Sequence, residues 1–244
     1  MPECKRRVAL VRHTADPEAL VALGARLCYA GGDVDGLLKL VSEKDQQAFL
    51  EKIMSMGHES VLEHVSFSFL IEGVSRVLLA QLTRHRIASF SVQSQRYVSY
   101  QKGFGYVVPP AVSALGEDAE NEYHRQMAQM QSWYEGWQER LGAAGEKSNE
   151  DARFVLPNAC ETRVLLTMNA RELRHFFSLR MCERAQWEIR QMATEMFELC
   201  CRVAPALFRD AGPACLRGAC PEGAKSCGRQ AEKRKAREDF LTTL

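Results

Sequence analysis

The hydrophobic pattern changes period along this chain, and that change limits what it can fold into. Val65, Phe67, Phe69 and Ile71 alternate with polar or small neighbours, as a strand with one buried face requires. Residues 7–12 (RVALVR) and 162–168 (TRVLLTM) read as two further short strands. Elsewhere the period lengthens. Ile189, Met192, Met196, Leu199 and Val203 recur at three- and four-residue spacing, one face of a helix over 185–203. Residues 117–141 form a long amphipathic helix. Helices interleaved with a few strands imply an α+β fold, a compact single domain of helices around a small mixed sheet.

Terminal signals place the other helices. Asp16 as N-cap with Pro17 at the first position opens a helix over 16–30. Ser42 caps a second, with Glu43 and Asp45 in an acidic first turn, running to Met56 before Gly57 stops it. Ser75 opens a helix to about Thr83, with Val77, Leu78 and Leu82 on one face. Asn169 caps a helix over 170–179. Residues 84–97 are polar and irregular. After Gly212 the composition shifts: residues 217–237 hold seven Lys/Arg, two Glu and few large apolar side chains. This divides the chain into a domain over 1–212 and a basic, Cys-containing tail over 213–244, expected to pack weakly.

The net charge of +1 leaves no whole-chain field for a polyanion, so anion recognition must be local. No apolar run approaches the ~20 residues of a membrane span, and the start, MPECKRRVAL, lacks the apolar segment of a secretory signal. Nine cysteines, an odd count without such a signal, suggest reduced thiols and a cytoplasmic location.

The densest polar cluster runs from Arg84 to Tyr97. It holds three Arg, one His, three Ser and two Gln, directly after an apolar helix. Arginine forks match phosphate oxygens bidentately and serine hydroxyls add short donors, so the composition suits a phosphorylated small molecule. A solvated basic loop or a nucleic-acid patch has the same composition, although the balanced net charge weighs against nucleic acid. No glycine-rich GxGxxG loop follows a strand, which argues against a Rossmann nucleotide site.

Within the cluster, RHRIASFSVQSQR has the pattern Arg-His-Arg, two residues, Ser, four residues, Ser, one residue, Arg. It resembles the signature of flavin-dependent thymidylate synthases. Gly57-His58-Glu59-Ser60 with Glu63-His64, Arg153-Phe154-Val155-Leu156-Pro157, Asn169-Ala170-Arg171 leading to His175 and Arg180, and Gln186-Trp187-Glu188-Ile189-Arg190 are also similar to that family. The resemblance spans roughly residues 7–210.

The resemblance implies a homotetramer with active sites shared at subunit junctions. It implies FAD as cofactor, with NADPH and methylene-tetrahydrofolate as co-substrates in the conversion of dUMP to dTMP. The cofactor positions it implies are Ser60, Arg84, His85, Arg86, Val92, Asn169, Ala170, Arg171 and His175. Those for the nucleotide are Gln81, Leu82, Thr83, Arg84, Val92, Gln93, Ser94, Gln95, Arg96 and Arg153. Arg180 falls on the position that contacts the uracil ring and is the expected catalytic residue. Two positions depart from the pattern: Val92 stands where some members carry an acid, and Ser91 where many carry Asn. No membrane and no nucleic acid partner is implied. The competing readings are another flavin oxidoreductase acting on a phosphorylated substrate, and a nucleic-acid module.

Other clusters carry weaker signals. His58 and His64 are six residues apart and would point to different faces of a helix, so no metal is expected there. His58 and Ser60 are expected at the flavin pocket. Cys215, Cys220 and Cys227 lack the paired CxxC knuckles of a zinc ribbon, and Cys200 and Cys201 read as small buried hydrophobes. The signature contains no cysteine. The family resemblance implies that no thiolate attacks the pyrimidine, and Ser94 reads as a positioning hydroxyl.

Overall fold

A computed structural model of the chain describes residues 3–31, 33–43 and 46–244. The elements are, in order, β1 (Arg7–His13), α1 (Pro17–Leu27), α2 (Val34–Glu43), α3 (Gln47–Ser55), β2 (Ser66–Ser75), α4 (Arg76–Leu82), β3 (Ser89–Val92), α5 (Pro110–Ser113), α6 (Glu117–Arg140), α7 (Glu146–Ala152), β4 (Glu161–Asn169), α8 (Ala170–Arg180), α9 (Trp187–Val203), α10 (Pro205–Phe208) and α11 (Gln230–Leu241). A 3-10 turn covers Glu59–His64.

The four strands form one sheet in the order β1-β2-β4-β3. The sheet is antiparallel, not mixed. Numbers rising on one strand meet numbers falling on the next: Ser68 bonds Thr167 at 2.8 Å, and the Gly73 amide bonds Glu161 at 3.1 Å. Alternation of side chains reports which faces are buried but not strand direction, so the sequence pattern leaves direction open.

Several boundaries differ from the sequence reading. The expected helix from Ser42 to Met56 is two helices. Ser42 lies inside α2, its hydroxyl bonded to the Lys39 carbonyl at 2.9 Å, and Asp45 lies outside the described residues. The start of α2 is marked instead by Asp33, whose carboxylate accepts from the Gly36 amide at 2.9 Å. Asp16 occupies the cap position of α1 but makes no side-chain capping bond, its φ of +44° turning it into the left-handed region. The segment 84–97 contains the short strand β3, whose Ser-Phe-Ser-Val alternation covers only four residues. Ser75 and Asn169 cap α4 and α8 as expected, accepting from Leu78 N at 3.1 Å and Glu172 N at 2.8 Å. Gly57, at φ +74°, ends α3 where a side chain would be strained.

Internal contacts divide the chain into two units. The first comprises residues 1–7, 70–84 and 90–165. Its core is Tyr100, Phe104, Tyr106, Val108, Met127, Tyr134 and Cys160. The buried face of α6 is largely polar: Gln131 accepts from the Phe104 amide and donates to the Tyr100 carbonyl, while the Tyr134 hydroxyl donates to Asn149 at 3.3 Å. Buried polar groups need such partners, and here the helix face supplies them in series. Trp133 and Trp137 point the other way and are 52% and 44% exposed, so they are not core of this chain.

The second unit comprises residues 8–69, 85–89 and 166–244. Edge-on aromatic contacts link Phe67 to Phe208 (5.3 Å), Phe208 to Phe177 (6.0 Å) and Phe177 to Phe197 (5.8 Å), tying β2, α10, α8 and α9 into one core. Truncating fully buried Phe208 to Ala would cost about 3–5 kcal/mol. The chain after Gly212 is more anchored than its composition suggested. Phe240 of α11 packs on Phe197 at 5.8 Å, and Arg229 and Lys233 both pair with Glu183.

Candidate functional site

The residues singled out by sequence fall into both units. In the second unit, α8 carries most of them. Asn169 fixes the helix start, and Arg171 and His175 stand one turn apart on an exposed face. Both line a cavity of about 530 Å³ together with Asn169, within the roughly 300–1,000 Å³ range of small-molecule pockets. The 3-10 turn contributes Glu59 and Glu63 to the same cavity, and Arg171 is ion-paired with Glu63. Of the turn residues, His58 and Ser60 are exposed and do not line it. Ala170 is fully buried beside the cap.

Arg174, unremarked in the sequence, also faces the cavity. Its guanidinium clasps Asp210 through two bonds of 2.6 and 2.8 Å and donates to the Leu207 carbonyl. Burial alone would raise the Asp210 carboxyl, but the bonds and charge of Arg174 hold it below its ordinary value. Arg174 Nε is buried and makes no hydrogen bond, but it is ion-paired with Glu59 at 3.7 Å on the cavity wall.

His85 is the buried centre of the unit's polar structure, 6% exposed. Its Nδ1 lies 3.1 Å from Glu172 Oε1, and its Nε2 lies 3.0 Å from Arg180 Nε. Phe176 packs edge-on against the ring at 4.9 Å, and His175 lies at 6.3 Å. Glu172, Phe176 and Arg180 are spaced i, i+4, i+8, so one face of α8 meets the imidazole along about 12 Å of helix axis. An arginine only donates and a carboxylate only accepts. Both bonds are therefore satisfied by neutral imidazole with its proton on Nδ1. Burial holds His85 below its ordinary value of 6.5, against the opposing bond from Glu172, with Arg180 and His175 reinforcing burial. The neighbouring Arg86 is exposed and, among the described residues, forms no ion pair. Ile87 lines the cavity.

The first unit holds the remaining positions. Gln81, Leu82, Thr83 and Arg84 end α4; Leu82 is buried, while Thr83 and Arg84 are exposed. Val92 closes β3, and the Gln93 amide donates to the Arg163 carbonyl at 2.9 Å. Ser94 forms a turn, its hydroxyl accepting from the amides of Arg96 and Tyr97. Gln95 is buried against the Cys160 sulfur. Arg96 pairs with Glu146 at 2.6 Å and Glu150 at 3.0 Å. Arg153 donates to the Glu150 carbonyl at 3.0 Å. Glu150 thus gathers Ser94's neighbour Arg96 and the distant Arg153 into one basic cluster. Sequence reasoning missed Glu146 and Glu150 because acids on α7, seven and three residues before Arg153, look like ordinary helix surface. It missed Glu172 although the i, i+4, i+8 spacing to Arg180 was there to be read.

The thiols are chemically quiet. Burial pushes Cys160 up to about 11, and Cys4 and Cys201 up to about 12, away from the thiolate a nucleophile needs. Cys182, Cys215, Cys220 and Cys227 line a separate cavity of about 290 Å³. Among the described residues no group of three or more His, Cys, Asp or Glu side chains is arranged to hold a metal.

Comparison with known proteins agrees with this picture. The family model described as "Thymidylate synthase complementing protein" matches residues 9–206. A flavin-dependent thymidylate synthase of Geobacter sulfurreducens is 56% identical over 95% of this chain and 98% of its own length. One from Clostridium tetani is 46% identical over 94% and 96%. Among solved structures, the UMP/dUMP methylase PolB from Streptomyces cacaoi, bound with 5-Br dUMP, is similar at TM-score 0.66 and 25% identity, covering 84% of this chain and 94% of that one.

Proposed function

This chain belongs to the flavin-dependent thymidylate synthase family, which converts dUMP to dTMP with FAD, NADPH and methylene-tetrahydrofolate, and from that premise we propose which of its residues do what. The carrying observation is the cavity beside α8, where Asn169, Arg171 and His175 converge on the helix whose last residue, Arg180, bonds the buried His85. Its donor set fits FAD: the Arg171, Arg174 and Arg217 guanidiniums and the Asn169 amide match a pyrophosphate and an electron-rich ring, with Glu59 and Glu63 as the carboxylates such a ligand displaces. In this reading Asn169, Arg171 and His175 hold the cofactor from the cavity, and Ser60, Arg84, His85, Arg86, Val92 and Ala170, which do not line it, complete cofactor sites shared between subunits.

Bound FAD would supply the reducing equivalents drawn from NADPH. The chain's own residues bind, orient and polarise. Arg96 and Arg153, with Ser94, hold the nucleotide phosphate; Gln81, Leu82, Thr83, Arg84, Val92, Gln93 and Gln95 complete the nucleotide positions. Arg180, beside the uracil ring, stabilises negative charge developing on it as C6 is reduced. No thiolate attack is needed, and the raised Cys values are consistent with that.

The quaternary part of the proposal is a homotetramer with shared sites. Trp133, Trp137 and Leu141 form an exposed apolar stripe at i, i+4, i+8 along and just beyond α6, and Phe154 is 82% exposed. Such surface is characteristic of an interface. A cytoplasmic location fits nine free thiols, and no helix among the described residues is long and apolar enough to cross a membrane.

The deciding experiment is tritium release from C5-labelled deoxyuridylate by the yellow, FAD-loaded protein with NADPH and methylene-tetrahydrofolate. Release that depends on both co-substrates is expected. A colourless protein that binds duplex DNA in a salt-sensitive way would sink the assignment.

A further inference from the structure

We propose that Glu172 is a positioning residue that acts through His85 to fix the plane of the Arg180 guanidinium. The inference deepens the role of Arg180 proposed above and rests on it.

The observation is a three-member chain of side chains, Glu172–His85–Arg180, whose two ends lie on one helix. Glu172 sits in the first turn of α8 and Arg180 is its last residue. The side chain between them comes from elsewhere in the sequence. His85 bridges the two ends at 3.1 and 3.0 Å. Glu172 and His85 are 8% and 6% exposed, so water does not replace either bond readily.

Three features make this more than packing. First, direction is fixed along the chain. The Glu172 carboxylate can only accept, so it holds the proton on His85 Nδ1. That leaves a lone pair on Nε2, and only a lone pair can receive Arg180 Nε–H. The opposite tautomer would set N–H against N–H. Second, Nε lies in the plane of the guanidinium. Anchoring it fixes the orientation of the whole fork, which a contact to a terminal nitrogen alone does not. Third, the imidazole cannot drift. Phe176, one turn from each end of the chain, packs edge-on against it. The fork is the part of an arginine that a lysine does not reproduce, so holding its plane matters where planar recognition of a ring is required.

An arginine at a helix C-terminus is ordinarily a mobile side chain favoured by the helix dipole. A chain anchored on a buried carboxylate at the other end of the same helix is not needed for that. It is needed if the guanidinium must arrive at a ring in one orientation. Misplacement of a catalytic group by about 1 Å costs on the order of 100-fold in rate.

A double-mutant cycle over Glu172→Ala, Arg180→Ala and both together tests the chain. Four readouts are taken: FAD occupancy, melting temperature, the rate of flavin reduction by NADPH, and dTMP formation as separate kcat and KM. Glu172→Ala is expected to lower dTMP formation per bound FAD about 10- to 100-fold; because Glu172 also lines the cavity, each rate is normalised to FAD occupancy. Glu172→Gln, which keeps an acceptor oxygen for Nδ1–H, should recover part of the loss and serves if the Ala variant does not fold. In the Arg180→Ala background either change at Glu172 should have no further effect on turnover. Multiplicative losses in the double variant would overturn the inference, since Glu172 would then act by another route. So would wild-type turnover by Glu172→Ala and Glu172→Gln beside an impaired Arg180→Ala. Wild-type turnover by Arg180→Ala would instead bring down the role proposed for Arg180, and this inference with it.

Discussion

Two arginines of the second unit and one of the first are held in opposite ways. In the second, Arg180 is tied to buried His85 and Arg174 is 3% exposed and clasped by Asp210. In the first, Arg96 is 44% exposed and held by Glu146 and Glu150, themselves 45% and 47% exposed. Buried pairs are screened little by water and cannot rearrange without leaving a polar group unsatisfied; exposed pairs exchange partners at small cost. The first arrangement suits a group that must present one geometry to a ring. The second suits a cation that gives up carboxylates to receive a phosphate.

The largest effect that would sharpen this contrast is at Arg180. Arg180→Ala should reduce dTMP formation by about 100- to 1,000-fold, the loss typical of removing one preorganised donor to a developing charge. Arg180→Lys should recover little, because a point charge lacks the fork. Flavin reduction by NADPH, followed at the flavin absorption band, should be nearly unchanged in both. Near-normal methylation by the Ala variant would erase the distinction drawn for the buried unit.

On the exposed side, Arg96→Ala and Arg153→Ala should each weaken dUMP binding about ten- to a hundredfold, the value of one charge-assisted bond of roughly 1.5–3 kcal/mol. Deoxyuridine, without a phosphate, should be indifferent to either change. Glu150→Gln should tighten dUMP, since it removes a carboxylate that competes for Arg96. Titration calorimetry with both ligands decides: equal losses for dUMP and deoxyuridine would mean that these arginines serve the fold.

How much of this was legible beforehand follows the same divide. Caps with local partners, Ser75 and Asn169, could be read directly because donor and acceptor lie three residues apart. So could β2 and β4, whose side chains alternate, and β1, a short apolar run that is partly exposed rather than buried. The split between α2 and α3 could not. Gly31, Gly32 and Gly36 suppress the helical signal at its start, and Ser42 imitates a cap while sitting inside a helix. Sequence motifs brought His85 and Arg180 forward, but their contact joins residues 95 positions apart. Neither periodicity nor spacing carries that information. On α6, apolar side chains at helical spacing do not by themselves separate core from surface: Trp133 and Trp137 are exposed, while the buried stripe runs through Met127, Gln131, Tyr134 and Gln138.

A smaller effect concerns pH. The folded protein keeps His85 neutral with a lowered pKa, whereas the unfolded chain protonates it near 6.5. Below that value the unfolded state binds more protons, so stability falls as pH drops from about 6.5 through the folded pKa and is unaffected above it. Asp210, held below 3.8 by Arg174, adds a second loss at lower pH. Urea midpoints across this range should show the upper step in wild type. In Arg180→Ala, which removes one of the influences lowering His85, that step should shrink. A step of unchanged size would mean that the buried chain does not set the imidazole's protonation.

The smallest expected effect is on the chemistry of a chain without thiols. Cys160 belongs to the core of the first unit, and Cys200 and Cys201 are fully buried on α9 of the second. Burial raises all three, Cys200 well above its ordinary value, so none offers a thiolate near neutral pH. Cys182, Cys215, Cys220 and Cys227 line a cavity together with Arg180, and Asn169, Arg171 and His175 do not line it, so these four are the thiols that the replacement tests most directly. Replacing the six outside the cores by Ser and the three buried ones by Ala should therefore cost stability, on the order of 1 kcal/mol at each buried position, while kcat stays near wild type in whatever fraction folds. Circular dichroism and bound FAD give that fraction, and dTMP formation is normalised to it. A variant that folds, binds FAD and dUMP and reduces its flavin, yet forms no dTMP, would place a thiol in the reaction. The contrast between an arginine anchored on a buried histidine and an exposed, exchangeable one would then no longer account for catalysis.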